Sequence, residues 1–210
     1  MVDYIEDRVD GLAASMCEVF AQGRTRPLAW RLRMLRAAKQ MLADHCDAWV
    51  AAVVASTGKP ATEAIWGDVC CVQAELNDMI TNVSRWSQAN DVCTPLALIP
   101  ASSRIEKQPY GATLVIAPCN YPVLLALCPL FGAIAAGNTA VLKVSELCPE
   151  VSDLCASLLT AYLDPDAVRV VRGGVRVVSA LLEQRWDNII FTGSVRVGRM
   201  VAMAAARGGR

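Results

Sequence analysis

Three short segments in the second half of the chain hold residue types that can do chemistry. Pro118-Cys119-Asn120-Tyr121-Pro122 sets a carboxamide between two prolines, Lys143-Val144-Ser145-Glu146 sets an ammonium and a carboxylate three positions apart, and Thr192-Gly193-Ser194 is a small-residue turn. A stiff loop could aim the Asn120 side-chain NH2 at a developing oxyanion; an Asx turn uses the same residue for backbone geometry alone. Lys143 and Glu146 could bond a ribose or a phosphate, and their plainest alternative is a salt bridge with each other. Gly193-Ser194 could open a helix and present free N–H groups and the positive dipole end to a phosphate. Many helices start at such turns for purely structural reasons, and Gly193 through Gly198 is neither a GxGxxG fingerprint nor a P-loop. Each segment is weak evidence alone. Together they mean something only if all three stand at the same end of one sheet.

The surrounding pattern supplies that sheet. After Tyr110 the chain alternates strand and helix: strand Gly111–Ala117, helix Pro122–Ala136, strand Thr139–Lys143, helix Pro149–Leu163, strand Val168–Val171, helix Val175–Gln184, strand Asn188–Phe191, and helix Val195–Ala206 with Ser194 as its N-cap. Four βα units in succession predict an α/β fold with a Rossmann-like, doubly wound parallel sheet whose ligand sits at the carboxyl ends of the strands. All three chemical segments then fall on that edge.

Ahead of these units, Asp3 to about Asn90 reads as helical. Trp30, Met34, Ala37, Ala38, Met41 and Leu42 form a core stripe, and Arg31, Arg33, Arg36 and Lys39 a solvated face beside it. Gly58-Lys59-Pro60 separates two helices, the second running from Glu63 to Trp86 with Ile65, Val69, Val72, Leu76 and Ile80 on one side. Residues 91–109, with Pro95, Pro100 and Pro109, read as an extended arm containing an exposed strand near Ser103–Lys107. The chain therefore divides into a helical region (residues 1–90), the arm (91–109) and the βα units (110–210), expected to form a single nucleotide-binding domain.

Composition excludes several functions. The 210 residues are 54% apolar, and 20 Lys+Arg balance 20 Asp+Glu, which is the opposite of a disordered tail. Residues 1–110 carry 11 basic and 13 acidic groups and residues 111–210 carry 9 and 7, so there is no basic stripe for nucleic acid or an anionic membrane. The uncharged stretch Gln108–Leu142 is broken by Pro118, Pro122 and Pro129, and its longest helical piece, Val123–Ala136, is shorter than the roughly 20 residues a membrane span needs. Nine cysteines with no CxxC pair, behind an acidic start, fit a reduced, cytoplasmic protein. A lone His45 with no ligand at i+4 predicts no metal site.

The ordered motifs add a family resemblance. Pro109-Tyr-Gly111, Ala117-Pro-Cys-Asn-Tyr-Pro122, Gly132-Ala-Ile-Ala-Ala-Gly-Asn138, Val141-Leu-Lys-Val-Ser-Glu146 and Phe191-Thr-Gly-Ser194 with Gly198 resemble the motif series of the aldehyde dehydrogenase superfamily. Gly23-Arg-Thr-Arg-Pro27 with Trp30-Arg31, and Gly58-Lys-Pro60 with Glu63-Ala64, resemble its class-3-type branch of fatty and aromatic aldehyde dehydrogenases. The resemblance spans about residues 15–206.

It implies NAD or NADP as cofactor, a small-molecule aldehyde as substrate and a homodimer for the full-length family. It makes Asn120 the oxyanion donor, Lys143 and Glu146 the adenosine-ribose contacts, and Gly193, Ser194 and Gly198 members of the pyrophosphate site. In such enzymes a cysteine thiolate adds to the aldehyde, hydride leaves to the nicotinamide, and a glutamate activates water to hydrolyse the thioester. The family's Glu-Leu-Gly-Gly-Lys run and its nucleophilic cysteine both follow the helix after the Gly-Ser turn, and this sequence ends Ala206-Arg-Gly-Gly-Arg210. Cys119 stands at what resembles an aromatic or small-residue position and has no identifiable base or cation to make it a substitute nucleophile. The expectation is a chain truncated before the catalytic domain, inactive alone, with its 91–109 edge left uncovered and prone to association. The alternatives are a remnant serving as a nucleotide- or partner-binding scaffold, and a semialdehyde or acyl-phosphate-reducing relative, against which the class-3-type motifs weigh.

Overall fold

The computed structural model describes residues 7–207. Positions 3–6 of the expected helical stretch and the final Gly208-Gly209-Arg210 lie outside the described residues. Helices α1 (Leu12–Ala21), α2 (Leu28–Asp44) and α3 (Cys46–Thr57) come first. The α2 stripe folds as its spacing requires, with Trp30, Met34, Ala38, Met41 and Leu42 all buried. Arg33, Arg36 and Lys39 are exposed. Arg31 is not: half-buried, it donates to the carbonyls of Arg26 at 2.7 Å and Ala135 at 3.4 Å, tying α2 to a later helix.

The single helix expected from Glu63 is three pieces. A short α4 (Ala61–Ala64) enters a π-helical turn, Ile65–Cys70, and continues as α5 (Cys71–Trp86). Within the wider turn Asp68 is completely buried, against the backbone of Val123 and Leu124. The arm then forms a two-stranded antiparallel ribbon, β1 (Asn90–Val92) against β2 (Ser103–Ile105), joined through a 3-10 turn at Leu96–Leu98.

The four βα units follow as expected: β3 (Ala112–Ile116), α6 (Leu124–Ala136), β4 (Thr139–Lys143), α7 (Pro149–Tyr162), β5 (Val168–Val171), α8 (Val175–Leu182), β6 (Asn188–Phe191) and α9 (Val195–Arg207). Every residue of β3 and β4 is buried, which accounts for the uncharged stretch: these are central strands covered on both faces. All pairings are parallel and the order is β5-β4-β3-β6. The chain winds outward from β3 through β4 to β5, then crosses back to place β6 on the other side of β3. That reversal puts a crevice at the carboxyl ends of β3 and β6.

Alternation along the strands separates two cores. Val115, Ala117, Ala140 and Leu142 pack with α2, α3, α5, α6 and α7. Ala112, Leu114, Ile116 and Val141 pack with α8, α9 and, from the amino-terminal region, α1. The amino-terminal helices thus split across the sheet, with α1 tied to β4 by the Thr139 hydroxyl donating to the Met16 carbonyl at 3.0 Å. His45 is a structural residue, its ring edge-on to Tyr162 and its Nε2 3.2 Å from the phenol oxygen.

Candidate cofactor site at the carboxyl edge of the sheet

A cavity of about 350 Å³ opens where β3, β4 and β6 end. Lys143 closes β4, opposite Ile116 of β3 and Val171 of β5. Its position on the strand turns the side chain toward α8 and α9, where the ammonium is buried and donates to Glu146 Oε2 at 2.5 Å. Three residues of turn bring the carboxylate back over the strand end, and the turn is closed by Leu147 N–H donating to Ser145 Oγ at 3.3 Å. Glu146 feels opposing influences. Burial pushes its carboxyl up, but the Lys143 hydrogen bond, a backbone N–H and the Lys143 charge prevail and hold it below its usual range. An ammonium has three donors, so Lys143 can pair with Glu146 and still reach into the cavity that it lines.

From the β6 side, Thr192 N–H donates to the Ile116 carbonyl at 3.2 Å and extends the strand pairing one residue. The backbone then passes close over Phe191: a Cβ on Gly193 would lie 2.5 Å from the ring's Cζ. Any side chain at this position would have to push the Phe191 ring aside. Ser194 precedes α9 as an N-cap, its Oγ accepting from Val197 N–H at 3.4 Å and its carbonyl from Gly198 N–H at 2.9 Å. The first N–H groups of α9 have no carbonyl within the helix to meet and are available at this edge.

Lys143, Glu146, Gly193 and Ser194 all line the one cavity. Gly198 and Asn120 stand apart from it. Gly198 is on the second turn of α9, where an added Cβ would meet the Phe191 ring at an ordinary 3.4 Å. Asn120 is exposed and lines an adjoining recess with Ser56, Thr57, Lys59 and Cys148. Cys119 and Leu147 border both hollows, so the two lie side by side along the same edge. The separation follows from the pleat: Ile116 faces α8 and α9, Ala117 faces the opposite core, and the chain leaves β3 toward α6.

Two contributors lie outside the sequence motifs. Arg196 lines the cavity beside Ser194 and adds positive charge at the helix start. Val175, Val178, Leu182, Val197 and Met200 form an apolar wall from α8 and α9, suited to a flat ring. Val175 and Met200 are largely exposed, and a helix face more apolar than its burial requires is the signal that could have found them. Among the described residues no group of three or more His, Cys, Asp or Glu could hold a metal ion, and no helix is long and apolar enough to cross a membrane.

Known proteins resemble the chain over nearly its whole length. The model of the aldehyde dehydrogenase family matches residues 4–210. Aldehyde dehydrogenase family 3 comG of Dictyostelium discoideum is 42% identical over 197 residues, covering 93% of this chain and 42% of that protein. Aldehyde dehydrogenase family 3 member F1 of Arabidopsis thaliana is 38% identical over 206 residues, covering 98% and 43%. Among solved structures, AldH of Staphylococcus aureus in a substrate-bound state superposes with a TM-score of 0.93 at 31% identity, over 96% of this chain and 44% of that one. The chain spans about two fifths of the length of these relatives. On sequence and fold alike, it belongs to the aldehyde dehydrogenase family.

Proposed function

We propose that this chain is the cofactor-binding portion of an NAD- or NADP-dependent aldehyde dehydrogenase of the family 3 type, oxidising an aldehyde to its carboxylic acid. The observation that carries the reading is the meeting of Lys143, Glu146, Gly193 and Ser194 on one cavity at the sheet's switch point. These groups fit a dinucleotide. Glu146 accepts from ribose hydroxyls, Lys143 donates to ribose or phosphate oxygen, and the α9 start with Gly193 and Ser194 takes the pyrophosphate. The apolar wall packs the adenine, and Gly198 contributes by seating α9 on Phe191. Bound there, the cofactor supplies a hydride acceptor.

The chain's own residues do the rest. Asn120, whose carboxamide meets no hydrogen-bond partner among the described residues, points from the neighbouring recess and donates to the oxyanion of the first tetrahedral adduct, a contribution of about 3 kcal/mol for one such donor. Cys128, Cys148 and Cys155 are unsuited to supply the nucleophile. Burial pushes Cys128 and Cys155 up to about 12 and Cys148 up to about 11, the reverse of what an attacking thiolate needs. The exposed Leu96, Leu98, Ile99 and Ile105 on the arm support self-association of the assembled enzyme as a homodimer.

Calorimetric titration tests this. NAD and NADP both bind the chain, and Glu146→Gln weakens NAD more than NADP because the carboxylate favours a free 2′-hydroxyl and repels a 2′-phosphate. No heat with either nucleotide at millimolar concentration, or equal losses for both in the variant, contradicts the assignment.

A further inference from the structure

The loop that carries Asn120 is gripped from the side away from the cofactor cavity. The π-helical turn Ile65–Cys70 brings Asp68, wholly buried, against the first turn of α6. Its Oδ1 accepts from the backbone N–H groups of Val123 and Leu124, each at 3.0 Å. These are donors that no carbonyl of α6 can reach, and a carboxylate is favoured at that end of the helix dipole. Asp68 Oδ2 lies 3.5 Å from Lys59 Nζ. The same ammonium sits 3.5 Å above the centre of the Tyr121 ring, a cation–π contact. A Cβ on Gly67 would fall 3.0 Å from Tyr121 Cε1, so the ring rests on bare backbone. Every residue from Tyr121 to Leu124 except Pro122 is thus held by Asp68, Lys59 or the turn between them.

We propose that Lys59 and Asp68 are positioning residues for the Asn120 carboxamide, acting through Tyr121, Val123 and Leu124. The inference rests on the reading of Asn120 as the oxyanion donor. Asn120 is exposed and has no hydrogen-bond partner among the described residues, so its aim is set by the backbone that follows it. The pair itself is a poor stabiliser. Neither Lys59 Nζ nor Asp68 Oδ2 makes a hydrogen bond, and an apolar pair of similar volume generally does as well or better in such a place. An ion pair that contributes little to stability yet holds Tyr121, Val123 and Leu124, just after the Asn120 carboxamide, serves placement.

The test is nuclear magnetic resonance of the isotope-labelled chain in four variants. Asp68→Ala speeds amide exchange at Val123 and Leu124 by roughly tenfold or more and moves the Asn120 side-chain NH2 resonances. Asp68→Asn, which keeps an oxygen acceptor, restores both. Lys59→Met moves the Tyr121 ring and Asn120 NH2 resonances and leaves exchange in β5 unchanged, and Lys59→Arg restores them. A merely structural role lowers protection throughout the chain and leaves the folded-state Asn120 resonances where they were, and that result overturns the proposal. Should Asp68→Ala not fold, the Lys59 pair of variants decides alone. Contacts between the Asn120 NH2 and the nicotinamide protons of added NAD check the underlying reading separately: their absence in the unmodified chain removes Asn120 from the reacting centre, whatever the variants do.

Discussion

Replacing Lys143 by Met separates a binding role from a structural one. The Lys143 side chain is 3% exposed and its partner Glu146 33%. Removing one member of a fully buried pair costs about 3–5 kcal/mol. Here Glu146 can rehydrate through its open third, and Met keeps the packing of the stem, so roughly 1–2 kcal/mol remains. For a chain of 210 residues that is a fall in Tm of about 2–8 °C. The nucleotide loses a charge-assisted hydrogen bond of about 1.5–3 kcal/mol, so its Kd rises roughly ten- to a hundredfold. Asp164→Asn is the control. Asp164 accepts from Arg24 Nε at 2.7 Å and Trp30 Nε1 at 3.1 Å, outside the cavity lining, so Tm falls and affinity stays. Calorimetry below both transitions reads Kd and thermal denaturation reads Tm. If Lys143→Met lowers Tm and leaves Kd within twofold, Lys143 is a strut and the cofactor reading of this edge is wrong.

Other outcomes follow from the same coordinates. Gly193→Ala places a methyl group against the Phe191 ring, so nucleotide affinity drops about tenfold from a shifted turn, and Phe191→Leu added to it recovers some of the loss; an undiminished affinity in the single variant contradicts the close-approach argument. Maleimide labelling near neutral pH modifies the exposed Cys71 and Cys93 first and the buried Cys148 and Cys155 last, which peptide mass spectrometry reads; early modification of Cys155 would show that the core is open. Acid weakens the fold through Glu146 and Asp164. Burial raises both, but Lys143 and a backbone N–H for Glu146, and Trp30, Arg24 and the Asp166 N–H for Asp164, prevail and leave them lowered. A lowered carboxylate contributes stability that is complete above its unfolded pKa and disappears as pH falls through the folded one. Tm is therefore flat near neutrality and declines below about pH 4; a Tm constant to pH 3 refutes it.

Much of the architecture could be read from spacing. The α2 stripe, the four βα units and the burial of the uncharged 108–142 stretch all depend on local periodicity and on the absence of charge, which the sequence displays directly. Placing the three turns on one edge needs only the rule that parallel strands start at the same end. What could not be read depends on distant partners. The π-helical turn is invisible because Ile65, Val69, Val72 and Leu76 fit an ordinary helix, and the partner that Asp68 meets from it is backbone some 55 positions away. Arg31 reads as a solvated charge until Ala135 supplies an acceptor. The motifs lead one to expect Asn120 beside Lys143, and the strand pleat sends it to the adjoining recess. The pairing of Lys143 with Glu146 is legible as an alternative, but only as an exposed bridge; in the fold the ammonium is buried.

The most direct measurement is a titration of the isotope-labelled chain with NAD, followed residue by residue through backbone and lysine ammonium resonances. Saturable shifts are expected at Lys143, Glu146, Gly193, Ser194 and Arg196, with β5 and the 90–105 arm unmoved. Shifts that spread without saturation, or that cluster away from the carboxyl ends of β3, β4 and β6, contradict the cofactor reading of this edge.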